Sequence, residues 1–156
     1  MDKATLKAEL VTSLTTALEA ARSAHAAALE GATHAEAKPE NDKDTRGLEQ
    51  SYLARGQAQR VVELEAGLAA TVALALRQLG PHDLVAMSAL VTVDEDRHKL
   101  RLFVAPAGGG SVLAHVVQVV TPASPLGRAL IGKAVGDEVE LKLPGRTRTL
   151  LILALE

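Results

Sequence analysis

The densest set of groups able to do chemistry lies in A-K-P-E-N-D-K-D-T-R-G, Ala37 to Gly47. Glu40, Asp42 and Asp44 supply carboxylates, Lys38, Lys43 and Arg46 supply cations, Pro39 breaks the chain and Gly47 closes the stretch. Acids at such a place have two uses. They offset the partial positive charge at the start of the next helix, or they form the working end of a tip. Asp44 or Thr45 suits the first use as a helix cap. Glu40 and Asp42, with Glu36 just before them, are candidates for the second.

Other reactive side chains offer less. His34 sits beside the tip, and His25 falls on a helical seam. His82, His98 and His115 have no metal-ligand spacing between them, so no zinc site is expected. Ser124 has no accompanying His and Asp pattern. Gly108 to Gly110 lacks the lysine and the Ser/Thr of a phosphate-binding loop. The sequence has no cysteine, hence no disulfide framework and no thiolate metal site.

The elements that would position the tip are two long helical patterns. Ala4 to about Glu30 has neither proline nor glycine and is rich in Ala, Leu, Glu and Lys. Leu10, Leu14, Ala17, Ala21, Ala24 and Ala28 recur at alternating four- and three-residue steps, a coiled-coil-like seam. Continued to Glu36, the helix would be on the order of 50 Å long and should project from a domain of this size. Gly31 to Asp44 reads as the turn, with Pro39 ending or kinking the first helix. The second helix is expected from Thr45 to Gln78, with Leu48, Tyr52, Val62, Leu68, Val72 and Leu76 as its stripe and Gly56 and Gly67 as sites of close packing. Similar lengths and a short loop imply an antiparallel hairpin.

Leu79-Gly80-Pro81 marks a boundary: Gly80 ends the helix and Pro81 prevents its resumption. Beyond it the period changes to that of strands. Leu84–Val93, Leu100–Val104, Val112–Val120, Val139–Leu143 and Thr149–Leu155 read as five strands. Asp94-Glu95-Asp96 and Pro144-Gly145 read as turns. Ser124 to Gly132 reads as a short helix, with Ser124 as cap and Pro125 at its first position. The fold class is α+β: residues 1–79 a helical hairpin with an acidic tip at 36–47, residues 80–156 one mixed sheet with a short helix packed on it.

Composition bounds the function. The 156 residues carry a formal net charge of -2, which argues against binding nucleic acid through bulk positive charge. Tyr52 and Phe103 are the only aromatic residues, so neither an aromatic-lined pocket nor a base-stacking platform is available. The N-terminus lacks the apolar core of a signal peptide, and no apolar run reaches the length of a membrane span. A cytoplasmic, monomeric protein without a membrane partner is expected.

S-P-L-G-R-A-L-I-G-K at Ser124 to Lys133, then G-D-E-V at Gly136 to Val139 and L-P-G at Leu143 to Gly145, resembles the C-terminal signature of the GreA/GreB family of bacterial transcript cleavage factors. That family joins an N-terminal helical hairpin to an FKBP-like domain, so the likeness covers nearly the whole chain. It implies RNA polymerase as partner, with Ser124, Pro125, Arg128 and Lys133 on the face that docks at the rim of the secondary channel. The hairpin would reach down the channel. Tip acids would help hold the Mg²⁺ of the polymerase, which then cleaves the 3′ end of backtracked RNA; contact with RNA is indirect. The protein would have no cofactor of its own and would not itself be an enzyme. A carboxylate is a hard oxygen ligand suited to Mg²⁺.

Residue by residue, Glu40 takes the place of the family's tip glutamate and Asn41 that of its asparagine. Glu49-Gln50 matches a following E-Q pair. Ala37 stands where the family has an aspartate. Glu36 is adjacent, but one helical step turns a side chain by about 100°. Glu40 and Asp42 are the candidate metal ligands and Asp44 the third tip acid, with Glu36, Asn41 and Arg46 in support. The family includes members with altered tips that inhibit or modulate instead of stimulating cleavage, and this chain fits that alternative too. A prolyl isomerase or chaperone of FKBP-like fold is a remote alternative, because it needs an aromatic pocket. A purely structural coiled-coil adaptor is another.

Overall fold

The computed structural model describes residues 2–37 and 46–156. Its contacts divide the chain into two compact units, Thr12–Ala69 and Met1–Val11 together with Ala70–Glu156.

The first unit is a two-helix hairpin. Helix α1 spans Lys3–Ala37 and α2 spans Arg46–Val72. Gly31 therefore lies inside α1, not in the turn. The helices run antiparallel: Arg22 pairs with Glu65 at 2.9 Å and His25 Nδ1 meets Ala54 O at 3.1 Å. A side chain at Gly31 would meet Gln50 Oε1 at 3.0 Å.

The expected seam is displaced. Leu14, Leu18, Ala21, Ala28 and Ala32 are buried, while Ala17 is half-buried and Ala24 exposed. Two successive four-residue steps, Leu10 to Leu14 to Leu18, precede the alternation; such an extra step shifts the register of a seven-residue repeat and puts Leu18 and His25 on the seam. On α2 the correction is larger. Leu48, Tyr52 and Val62 are 53%, 58% and 58% exposed. Ala54 and Leu64 are buried and Ala58 is half-buried in their place. The alanine-lined part of α1 lets backbones approach closely, so it takes the small-residue face of α2 and leaves the large side chains outside. Gly56 is not a close-packing glycine, since a Cβ there meets nothing within 4 Å.

The second unit holds a six-stranded mixed sheet instead of the five strands expected. Its strands are β1 Leu90–Glu95, β2 His98–Val104, β3 Val112–Leu113, β4 Val117–Val120, β5 Glu138–Leu143 and β6 Arg146–Leu155, with helix α3 at Pro125–Leu130. The order is β3-β4-β2-β1-β6-β5; β2 and β4 are parallel and the other neighbours antiparallel. The run Val112–Val120 is broken by Ala114 and His115, at φ 46° and 62°. Asp96 and Arg97, at φ 51° and 68°, form the two-residue turn between β1 and β2. Positive φ at both central positions is what a tight hairpin turn of the primed type requires. The strand expected from Leu84 begins only at Leu90, because Ser88 adopts φ 68° and Val85 bonds instead to Gly132 and Lys133.

Alternation sorts the strands' side chains onto two faces. Val91, Val93, Leu102, Val104, Leu150 and Ile152 form one core with Leu126 and Leu130 of α3. On the other face Leu90, Phe103, Val117 and Val119 are equally buried. The first turns of α1 belong to this unit. Leu6 and Leu10 are fully buried, and the Glu9 carboxylate accepts from Ala114 N at 2.9 and 3.0 Å. Helix α2 stops at Val72, short of the expected Gln78. Beyond it, the ammonium of Lys7 donates to Leu74 O at 2.8 Å and that of Lys3 to Arg77 O.

Candidate functional site

Glu40, Asn41, Asp42 and Asp44 lie outside the described residues. Glu36 falls in the last turn of α1, and Arg46 is the first residue of α2. Among the described residues, no group of three or more His, Asp or Glu side chains is placed to hold a metal ion.

The signature beginning at Ser124 is described in full, and most of its residues have structural work. Ser124 is the N-cap of α3: its Oγ accepts from Gly127 N at 3.0 Å and donates to Thr121 O at 2.8 Å. Pro125 supplies a preset φ at the first helical position. Leu126 is buried in the core. Gly127 has no alternative, because a Cβ there would collide with the backbone carbonyl of Thr121. Gly132 follows the helix at φ 82°, and its N–H donates to Val85 O at 2.8 Å. In the next turn Gly136 sits at φ 94°, and the Asp137 carboxylate accepts from Ala134 N at 2.8 Å.

Within Ser124–Lys133 the side chains left facing solvent are those of Pro125, Arg128, Ile131 and Lys133. Arg128 also donates to Ala123 O at 2.5 Å, which holds its guanidinium against the loop before α3. The structure thus brings together Pro125, Arg128 and Lys133 as an exposed, cationic surface beside one short helix, and assigns the Ser124 hydroxyl to capping.

A cleft of roughly 450 Å³ opens beside this surface, between the start of α3, the Gly109-Gly110 loop and the strand pair β5–β6. Val120, Pro125, Leu126, Leu141 and Leu143 make it apolar, and Arg148 closes one end. No aromatic side chain lines it, since Phe103 is fully buried within the sheet.

Sequence reading missed the Glu95–Arg148 pair. Arg148 donates to both carboxylate oxygens of Glu95, Nε at 2.5 Å and Nη2 at 2.6 Å, and both side chains are mostly shielded from solvent. These hydrogen bonds hold the Glu95 carboxyl below its ordinary pKa and raise that of Arg148. The pair fixes β6 against β1 at the mouth of the cleft. It lies far apart in sequence, so only the strand register reveals it. Gly127 was legible as part of the signature, but its reason becomes visible only once Thr121 O is in place.

Residues 80–156 match the family model described as "Transcription elongation factor, GreA/GreB, C-term". Among solved structures, the chain is similar to GreA factor homolog 1 (Gfh1) of Thermus thermophilus, at 22% identity over 94% of each chain with a TM-score of 0.41. Gfh1 of Thermus aquaticus gives 21% over 93% of this chain and 92% of that one, with a TM-score of 0.43. A prokaryotic transcription elongation factor GreA/GreB from Nitrosomonas europaea gives 23% over 61% of this chain and 78% of that one, with a TM-score of 0.40. No curated protein matches the chain. Residues 80–156 are thus GreA/GreB-like: they match the C-terminal domain described for those transcription elongation factors.

Proposed function

We propose that this protein regulates transcript elongation by binding bacterial RNA polymerase and placing the tip of its hairpin in the secondary channel. The observation that carries the reading is the match of residues 80–156 to the GreA/GreB C-terminal domain, joined to a helical hairpin built from α1 and α2. The sheet domain docks through Pro125, Arg128 and Lys133 and the apolar cleft beside them. Two exposed cations and an apolar hollow suit an acidic partner surface with a protruding apolar side chain. The hairpin carries the stretch from Glu36 to Arg46 to the polymerase active site.

At that site Glu40 and Asp42 are the carboxylates that would hold the polymerase's second Mg²⁺, with Asp44 as a third acid and Asn41 and Arg46 supporting the turn. Hard oxygen donors are the right class for this ion. The ion, when bound, supplies water activation and clamping of the scissile phosphate. This chain's contribution is confined to holding charge at the tip; the bond is cleaved by the polymerase.

Ala37 favours a second reading. It stands where the resemblance calls for an aspartate, and an alanine has no oxygen to offer. A tip with that ligand missing can occupy the channel and slow nucleotide addition without stimulating cleavage. The deciding experiment is RNA shortening on stalled, backtracked elongation complexes, comparing wild type, Glu40→Ala, a combined Asp42→Ala/Asp44→Ala variant and Ala37→Asp. Shortening that Glu40→Ala abolishes establishes the cleavage factor. Slower nucleotide addition without shortening, converted to shortening by Ala37→Asp, establishes the inhibitor. Absence of any binding to polymerase overturns both readings.

A further inference from the structure

The stretch that follows α2 reads A-L-A-L-R-Q-L, Ala73 to Leu79. Every residue in it is a strong helix former, and it continues α2 without an intervening glycine or proline. Yet beyond Val72 the chain makes only a turn at Ala73 and is then irregular to Gly80. Local preference and observed structure disagree here, and such disagreements mark strained or functional segments.

Three side chains account for the irregular form. Lys7 Nζ donates to Leu74 O at 2.8 Å, Lys3 Nζ donates to Arg77 O, and Arg77 N donates to Ser88 Oγ at 2.9 Å. Burial of Leu74 adds to them. Against them stands Ser88, a fully buried residue held at φ 68°, where side chains other than glycine are strained. Lys3 is buried as well, and desolvation lowers its pKa below the usual lysine value.

In a helix the same backbone groups would find partners. Leu74 O would accept from Gln78 N, and Arg77 N would donate to Ala73 O, in the ordinary spacing of four residues. The extension also has a built-in stop. Pro81 has no N–H, and its ring clashes with the carbonyl four residues earlier, that of Arg77. Both arrangements thus satisfy Leu74 O and Arg77 N.

We propose that Ala73–Leu79 is a two-state segment, irregular while Lys3, Lys7 and Ser88 hold its backbone and helical, as a continuation of α2, when they release it. Release lengthens α2 by about 10 Å at ~1.5 Å per residue and shortens the path to Gly80 by a similar distance, because non-helical chain spans up to ~3.3 Å per residue. The holding groups come from the first turns of α1 and from the residue two before β1, so events at either place bias the segment.

The test uses the full chain and backbone NMR. In a Lys7→Met/Ser88→Ala variant, Cα shifts of residues 73–78 move to helical values while amides of β1, β2 and β6 stay protected from exchange. Adding Ala75→Pro abolishes the move. In the wild type, chemical-exchange saturation transfer shows residues 73–78 visiting a minor state with helical shifts, and Ala75→Pro removes it. Unchanged shifts in a folded double variant overturn the proposal. Should the double variant lose the sheet, the wild-type profiles decide alone: a helical minor state supports the proposal and flat profiles overturn it.

Discussion

Replacing Gly127 by alanine sets two effects against each other. Helix propensity favours alanine by up to ~1 kcal/mol. Packing opposes it, because the new Cβ would overlap Thr121 O and lie 2.7 Å from Thr121 C and 3.0 Å from Ser124 Oγ. Two of these atoms are backbone, so the conflict is relieved only if the first turn of α3 lifts away from the Thr121 loop. That movement breaks the Ser124 cap, worth about 1 kcal/mol, and loosens Leu126 and Leu130 in the core, an overpacking cost of roughly 1–3 kcal/mol. After the propensity gain is subtracted, the net loss is about 1–3 kcal/mol, or roughly 2–12 °C in Tm for a protein of this size. Gly56→Ala is the matched control: it lies in α2 with nothing near its Cβ, so the same substitution gains up to ~1 kcal/mol there. Thermal unfolding followed by circular dichroism reads both. A Gly127→Ala protein as stable as wild type, with α3 still formed, would refute the close-approach argument.

Glu95→Gln should cost roughly 1.5–3 kcal/mol in urea denaturation, since it leaves the Arg148 guanidinium without its charged partner. The wild-type pair also shapes the acid limb of stability. The folded pKa of Glu95 is depressed, so its contribution is complete above the unfolded carboxyl pKa and is lost as pH falls through the lower folded value; Glu95→Gln should flatten that limb. Ser124→Ala removes the cap of α3 and should cost about 1 kcal/mol, with faster amide exchange at Gly127. Leu10→Ala should cost roughly 2–5 kcal/mol and speed exchange at Phe103 and Val117. Loss confined to α1 would show that its first turns do not share the sheet's core.

The parts of the fold legible in the sequence were those with local causes. Helix α1, the N-cap at Ser124, the glycine after α3 and the alternating strand β2 each follow from neighbouring residues. What escaped had distant or weak causes. The end of α2 is set by Lys3, Lys7 and Ser88, all remote in sequence from Val72. The buried face of α2 is its small-residue face, which carries little hydrophobic signal beside Leu48, Tyr52 and Val62. The break between β3 and β4 uses Ala114 and His115 at positive φ, positions where Asn and Gly would have announced a turn. Of the candidate site, the stretch from Ser124 to Lys133 was readable as a motif. The motif also hid a division of labour: Ser124, Gly127 and Asp137 hold the backbone, while Pro125, Arg128 and Lys133 face outward. The tip acids Glu40, Asp42 and Asp44 fall outside the described residues.

Tyr52 stands exposed on α2, with the Arg55 guanidinium 5.5 Å from its ring centre. It is also the only tyrosine in a chain without tryptophan. All useful ultraviolet emission therefore originates on the hairpin, and the sheet is dark. Quenching or a shift in anisotropy on adding a partner reports the surroundings of α2 without any label. A fluorescence melt follows that helix alone, and its midpoint can be compared with one from circular dichroism to learn whether the two units unfold together.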